Sequence, residues 1–125
     1  MRSALLVGLG GFAGSVCRYW LGGAVHRFAG AAFPWGTLAV NLLGCFVIGW
    51  LAGLAELRGV LSAELRLLLL VGFLGGFTTF SSFGWETFSL LRGGELWKAG
   101  ANAGLHLVTG LLAVWLGHGL ARLEG

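Results

Sequence analysis

The chain of 125 residues is 57% hydrophobic and only 10% charged, with a formal net charge of +3. A water-soluble domain of this length needs more charge to cover its surface, and 24 glycines with a single proline do not suit a disordered chain. The composition therefore predicts a membrane protein. The length leaves room for only one four-helix transmembrane domain, over residues 1–125.

Four stretches without charged residues divide the chain, at 3–17, 28–55, 67–85 and 99–121. Three of them have the roughly 20 residues that a transmembrane helix requires, and the first is long enough when it is extended through Arg18, Tyr19 and Trp20. They predict an all-α membrane protein with helices at about 3–25, 35–56, 63–92 and 97–121. The connections are short, at 26–34, 57–62 and 93–96. Because three more hydrophobic segments follow the first, it is interpreted as the first helix of a bundle rather than a cleaved signal peptide.

The charges near the helix ends are balanced between the two sides of the membrane. With four spans, one side has Arg2, Arg58, Arg66 and Arg122, and the other has Arg18, Arg27, Arg92 and Lys98. A chain with fixed orientation usually carries a clear basic excess on the cytoplasmic side. The balance predicts insertion in both orientations and an antiparallel dimer, unless one loop charge dominates the others.

Pairs of small residues four positions apart occur in every predicted helix. They are Gly10/Gly14, Gly49/Gly53, Gly72/Gly76 and Gly100/Gly104. Glycine at this spacing lets helix backbones approach closely in lipid. The two cysteines, Cys17 and Cys45, lie inside hydrophobic segments without a histidine or carboxylate cluster, so neither a disulfide nor a metal site is predicted from them.

The third segment contains the stretch "GFLGGFTTFSSFGWETF", from Gly72 to Phe88, which combines backbone breakers with hydroxyl groups. Two glycines followed by Thr78 and Thr79 predict a helix break near Gly75–Thr79, at the middle of the membrane. A broken helix leaves carbonyl groups free to bind cations, and amides and hydroxyls free to bind anions. A kink without an ion site is the alternative.

Polar and aromatic side chains after the break could line an ion path. Phe80 and Phe83 are one turn apart, and their positive ring edges could stabilise a small anion, although simple packing explains such a pair as well. Hydroxyl groups at Thr79, Ser81 and Ser82 would add donors. No nucleophile–base pair or phosphate loop is present, so the protein is not expected to be an enzyme.

Four further polar residues within the hydrophobic segments are candidates for a functional role: Asn41, Glu86, His106 and Thr109. Buried polar groups in hydrocarbon usually face a partner or a water-filled path. Asn41 could hydrogen-bond another helix or offer its amide to a ligand. Glu86 could couple protons, accept a structural hydrogen bond or pair with Arg18.

Three motifs together resemble the Fluc/CrcB family of fluoride channels: "GGFAGSVCRYWLG", "GTLAVNLLGCFVIG" and "GFLGGFTTFSSF". The resemblance covers essentially the whole chain. It implies a dual-topology antiparallel homodimer in the inner cell membrane, with two pores that export fluoride passively. It also implies a structural sodium ion, not transported, at the dimer interface. The break carbonyls that hold it correspond to Gly75 and Thr78.

The resemblance also assigns roles to individual residues. The pore positions of the family correspond to Asn41, Phe80 and Phe83, and Arg18 corresponds to an arginine near an aqueous vestibule. Glu86 matches a common carboxylate, and the hydroxyl residues belong to the polar track or the break. Ser82 stands where threonine is common. The polar track of the fourth helix varies in the family, and His106 and Thr109 are its candidates here.

Two rival functions remain open from the sequence. A small multidrug-type, proton-coupled exporter would need a carboxylate deep in its first helix, and 3–25 contains none, so Glu86 would have to serve. A non-conducting membrane subunit would use the polar stretch only to pack helices. The expected partners are fluoride, the lipid bilayer and a second copy of the chain, with no nucleic acid.

Overall fold

The computed structural model describes residues 1–125 and is entirely helical. Its helices are α1 (Arg2–Ala29), α2 (Trp35–Arg58), α3 (Ala63–Arg66), α4 (Leu74–Phe77), α5 (Phe80–Arg92) and α6 (Leu96–Leu123), and a π-helical segment, Leu67–Phe73, joins α3 to α4. The pieces from α3 to α5 form one span, Ala63–Arg92. The four spans are long and apolar enough to cross a membrane, which confirms the prediction of an all-α, four-span protein.

Local sequence explains two of the helix ends. Gly59 has a left-handed backbone (φ 62°) and its N–H bonds to the Ala55 carbonyl, which ends α2. The Ser62 side chain accepts from the Leu65 N–H at 3.2 Å and caps α3. The predicted loop at 26–34 was wrong in extent, because α1 continues to Ala29. Long basic side chains there can reach the membrane surface from a continuing helix.

Glycine contacts hold the spans in two close pairs. A Cβ atom on Gly14 of α1 would overlap the carbonyl oxygen of Phe73 and lie 2.9 Å from its carbon. Gly49 of α2 and Gly117 of α6 lie equally close to the opposite backbone, at Val114 and Phe46. Helix α1 therefore packs on the third span and α2 packs on α6, as small residues allow.

The remaining glycine pair behaves differently. Gly100 and Gly104 on α6 have no atom of the chain within 4 Å of an added Cβ. Both glycines are exposed, and so are many large apolar side chains of the chain; Phe12, Trp20 and Trp97 are 75%, 66% and 92% exposed. Such a surface belongs in lipid or against another membrane protein rather than in water.

The third span breaks at Thr78 and Thr79, where the backbone is extended between α4 and α5. The predicted break is confirmed, but Gly75 and Gly76 remain helical. A Cβ on Gly76 would lie 2.5 Å from the Gly11 carbonyl oxygen, so this glycine allows α4 to approach α1. Gly75 has open space beside it. The π-helical segment before the break was not predicted.

Candidate functional site

The side chain of Asn41 on α2 holds the break in place. Its Oδ1 accepts from the Thr79 N–H at 2.7 Å, and its Nδ2 donates to the Thr79 carbonyl at 3.0 Å. One amide therefore satisfies both backbone groups of a residue that has left the helix. Unpaired backbone groups are costly in a membrane, so this pairing explains how the extended residue is tolerated there.

The break removes the helical hydrogen bonds of the carbonyls before it, including those of Gly75 and Thr78. In an unbroken helix the Thr79 N–H would donate to Gly75 and the Ser82 N–H to Thr78. Instead, Thr79 donates to Asn41, and Ser82 donates at 3.2 Å to the Thr79 hydroxyl, which caps α5. The Gly75 and Thr78 carbonyls thus lose their helical donors. Both residues line an open groove.

The ring of His106 on α6 extends the Asn41 network. Its Nδ1 lies 3.0 Å from the Asn102 carbonyl oxygen, and its Nε2 lies 3.1 Å from Asn41 Nδ2. A carbonyl can only accept, so Nδ1 carries the hydrogen and Nε2 accepts from the amide. The Phe83 ring packs on this imidazole with centroids 4.3 Å apart, and Phe80 lies 5.4 Å from Phe83.

These residues face a groove of about 640 Å³ between α2, the third span and α6. Most of its lining is apolar, and its polar side chains come from Asn41, Cys45, Thr78, Thr79 and His106. No carboxylate or guanidinium lines it. Phe80 stands at the groove and is 82% exposed, so its ring projects beyond the surface of the chain.

A smaller cavity of about 230 Å³ lies on the other side of the break, and it is polar. Arg18 reaches it from α1 and donates from Nε to the Gly76 carbonyl at 3.1 Å. Glu86 on α5 accepts from the Thr37 hydroxyl at 2.7 Å, while its second carboxylate oxygen is buried without a partner. Glu86 and Arg18 form no ion pair. Thr79 lines both the cavity and the groove, so the two meet at the break.

The structure brings most of the residues selected from the sequence to these two spaces. The groove holds Asn41, Gly75, Thr78, Thr79, Phe80, Phe83 and His106, and the polar cavity holds Arg18, Ser82 and Glu86. Ser81 is exposed, with its oxygen 3.4 Å from the Thr79 hydroxyl. Thr109 lines neither space, and its hydroxyl donates to the Leu105 carbonyl one turn earlier.

Three polar residues of the network were not selected from the sequence. Thr37 bonds Glu86, and fully buried Asn102 donates at 2.9 Å to Thr87, which donates to the Phe83 carbonyl. Residues four positions apart share a helix face. Thr37 precedes Asn41 by four, and Asn102 precedes His106 by four, so helical spacing from the selected residues could have found both.

The fold and the site together define a class: a multi-pass membrane protein whose third span is interrupted where a polar cavity meets an aromatic groove. Residues 5–118 match the family described as "CrcB-like protein, Camphor Resistance (CrcB)". The chain belongs to this family, which confirms the resemblance inferred from the motifs.

Several relatives match this chain over nearly their full lengths. A "Fluoride-specific ion channel FluC" of Geobacter sulfurreducens is 48% identical over 98% of both chains. A protein with the same name from Rhizobium etli is 49% identical over 98% of both chains. Another from Thermus thermophilus is 53% identical over 96% of this chain and 95% of the relative. The family is one of channels, so the expectation that the protein is not an enzyme is confirmed.

Proposed function

We propose that this protein is a fluoride-selective passive channel that exports fluoride from the cytoplasm across the inner cell membrane. The observation that carries the proposal is the meeting of the polar cavity and the aromatic groove at Thr79, within a membrane span. The names of the relatives support fluoride as the ion. No observation favours the proton-coupled exporter, because the buried carboxylate of Glu86 is bonded to Thr37 outside the groove.

The chemistry of the two spaces suits a small, strongly hydrated anion. The Arg18 guanidinium in the polar cavity attracts anions while its Nε is held by Gly76. The Ser82 hydroxyl accepts from Thr79 and donates to no protein group. It can therefore donate a hydrogen bond to the anion in place of a water molecule. Beyond the break, the edges of Phe80 and Phe83 offer positive partial charge. The groove has no lysine or arginine whose permanent positive charge would trap the ion.

We also propose that two copies associate in antiparallel orientation and form two pores. The balanced basic residues are compatible with insertion in both orientations. The exposed Phe80 ring and the open space beside Gly75 lie at a groove that one copy leaves uncovered. A partner copy seated there would cover apolar surface and narrow the groove around the aromatic rings.

The carbonyls of Gly75 and Thr78 fit the proposed sodium site. Sodium is a hard cation that prefers oxygen ligands, and both carbonyls have lost their helical donors to Asn41 and the Thr79 hydroxyl. Each copy would contribute two such carbonyls. A sodium ion bound at this site would balance the carbonyl dipoles of both breaks. It would be structural and would not be transported.

The aromatic wall supplies a direct test. We expect wild-type liposomes loaded with potassium fluoride to release fluoride when valinomycin allows potassium to leave. In Phe83→Ala this release should be slower by about tenfold, equivalent to roughly 1.4 kcal/mol on the barrier, because the ring edge and the packing on His106 are lost. A fluoride-selective electrode measures the rate.

The matched control is Phe88→Ala, on the same helix. Phe88 is 52% exposed and lines neither the groove nor the polar cavity, so its removal should leave the rate near that of the wild type. Equal rates in Phe83→Ala and Phe88→Ala would contradict the assignment of Phe83 to the pore. No fluoride release from a folded wild-type protein would contradict the proposed function itself.

A further inference from the structure

We propose that fluoride binding at Asn41 is linked to a proton taken up by His106, so that the anion is held between Asn41 Nδ2–H and a protonated His106 Nε2–H. This inference rests on the proposed function and adds to it a dependence on pH. Its basis is the direction of each hydrogen bond around the two side chains.

The orientation of the Asn41 amide is determined by its backbone partner. The Thr79 N–H requires an acceptor, so the atom 2.7 Å away must be Oδ1, and the nitrogen must face the Thr79 carbonyl and His106. Nδ2 has two hydrogens, and these two contacts use both. While the imidazole is neutral, Asn41 therefore has no free N–H to offer an anion.

The orientation of His106 is determined in the same way. Its Nδ1–H donates to the Asn102 carbonyl, and the lone pair on Nε2 accepts from Asn41. A proton could therefore add only at Nε2. After it adds, two N–H groups face each other across 3.1 Å and repel unless an acceptor enters between them.

Fluoride is suited to that position because it is small and accepts several hydrogen bonds. The balance is simple: one fluoride and one proton enter, the proton bonds to Nε2, and the anion accepts from the two donors. No other covalent bond changes and nothing is oxidised. The ring of Phe83 packs beside the imidazole, with centroids 4.3 Å apart and the ring planes tilted by 45°.

The other titratable groups near the groove leave the His106 imidazole as the site for the added proton. The only other titratable residue lining the groove is Cys45, on α2. From α5, Glu86 faces the polar cavity and is bonded to Thr37, and from α1, Arg18 is bonded to the Gly76 carbonyl.

The test uses the purified full-length protein in weakly buffered detergent solution. Adding sodium fluoride near neutral pH should take up about one proton per fluoride bound, which a pH indicator dye records. Calorimetric titration should give a fluoride affinity that rises by about tenfold for each unit of falling pH wherever one proton is taken up per fluoride bound. Sodium chloride should cause no proton uptake.

His106→Gln should bind fluoride without proton uptake and with an affinity independent of pH. His118→Gln is the matched control, because His118 lies on the same helix but pairs with Glu56 and does not line the groove. Its proton uptake should equal that of the wild type, and the wild-type measurements decide the matter even if His106→Gln does not fold.

The outcomes separate this inference from the proposed function. Fluoride binding without proton uptake, at equal affinity across pH 5.5–7.5, would overturn the proton link and leave the channel proposal intact. Proton uptake that is lost in His118→Gln would place the proton elsewhere and also overturn it. The absence of fluoride binding together with the absence of release from liposomes would refute the channel itself.

Discussion

Asn41→Ala is expected to reduce fluoride release from liposomes by at least about 100-fold, because it removes the only side chain that pairs the extended Thr79 backbone. The substitution leaves the Thr79 N–H, its carbonyl and His106 Nε2 without partners. Each unsatisfied buried group costs about 1–3 kcal/mol, so the path should rearrange or close. A lower melting temperature in detergent should accompany the loss of flux.

The control is Leu43→Ala, two residues further along α2. Leu43 is 46% exposed and does not line the groove, so its loss should change neither flux nor melting temperature appreciably. If folded Asn41→Ala released fluoride as fast as Leu43→Ala, the role of Asn41 in the ion path would be wrong.

Gly14→Ala is expected to destabilise the fold severely although it adds a single methyl group. That carbon would overlap the Phe73 carbonyl oxygen and lie 3.0 Å from the Phe77 nitrogen, and rigid backbone cannot yield as a side chain can. Separating α1 from the third span should lower stability by about 4 kcal/mol or more, in the range of severe overpacking. Thermal unfolding and size-exclusion chromatography in detergent measure the effect.

Gly8→Ala should raise the stability of the fold rather than lower it. Gly8 lies on α1 with no atom within 4 Å of an added Cβ, so alanine there should contribute about 0.5–1 kcal/mol through better helix propensity. Comparing the two variants cancels the general effect of replacing glycine. Equal melting temperatures for Gly14→Ala and Gly8→Ala would contradict the close packing of α1 on the third span.

The four spans could be predicted because charge-free runs reflect the bilayer thickness directly. The break could be predicted because adjacent glycines and threonines disfavour a helix. The sequence did not show which of these residues would leave the helix. In the structure the threonines leave the helix, whereas Gly76 provides room for the Gly11 backbone of α1. That role depends on a neighbour distant in sequence.

The polar residues of the site could be selected from the sequence, but their partners could not. Asn41 meets Thr79 across 38 positions, and Thr37 meets Glu86 across 49. Only the packing of α2 against the third span brings these atoms together. Thr109 illustrates the limit, because its hydroxyl satisfies a carbonyl of its own helix and needs no ion path. Serine and threonine commonly do this within helices.

Anion selectivity of the purified protein tests the proposed channel most directly. Liposomes loaded with equal potassium fluoride and potassium chloride are diluted into salt of an impermeant anion, and valinomycin is added while two selective electrodes follow both ions. Selective conduction predicts rapid fluoride release with chloride retained at the level of protein-free liposomes. Comparable release of chloride, or no release of fluoride from folded protein, would contradict a fluoride-selective channel.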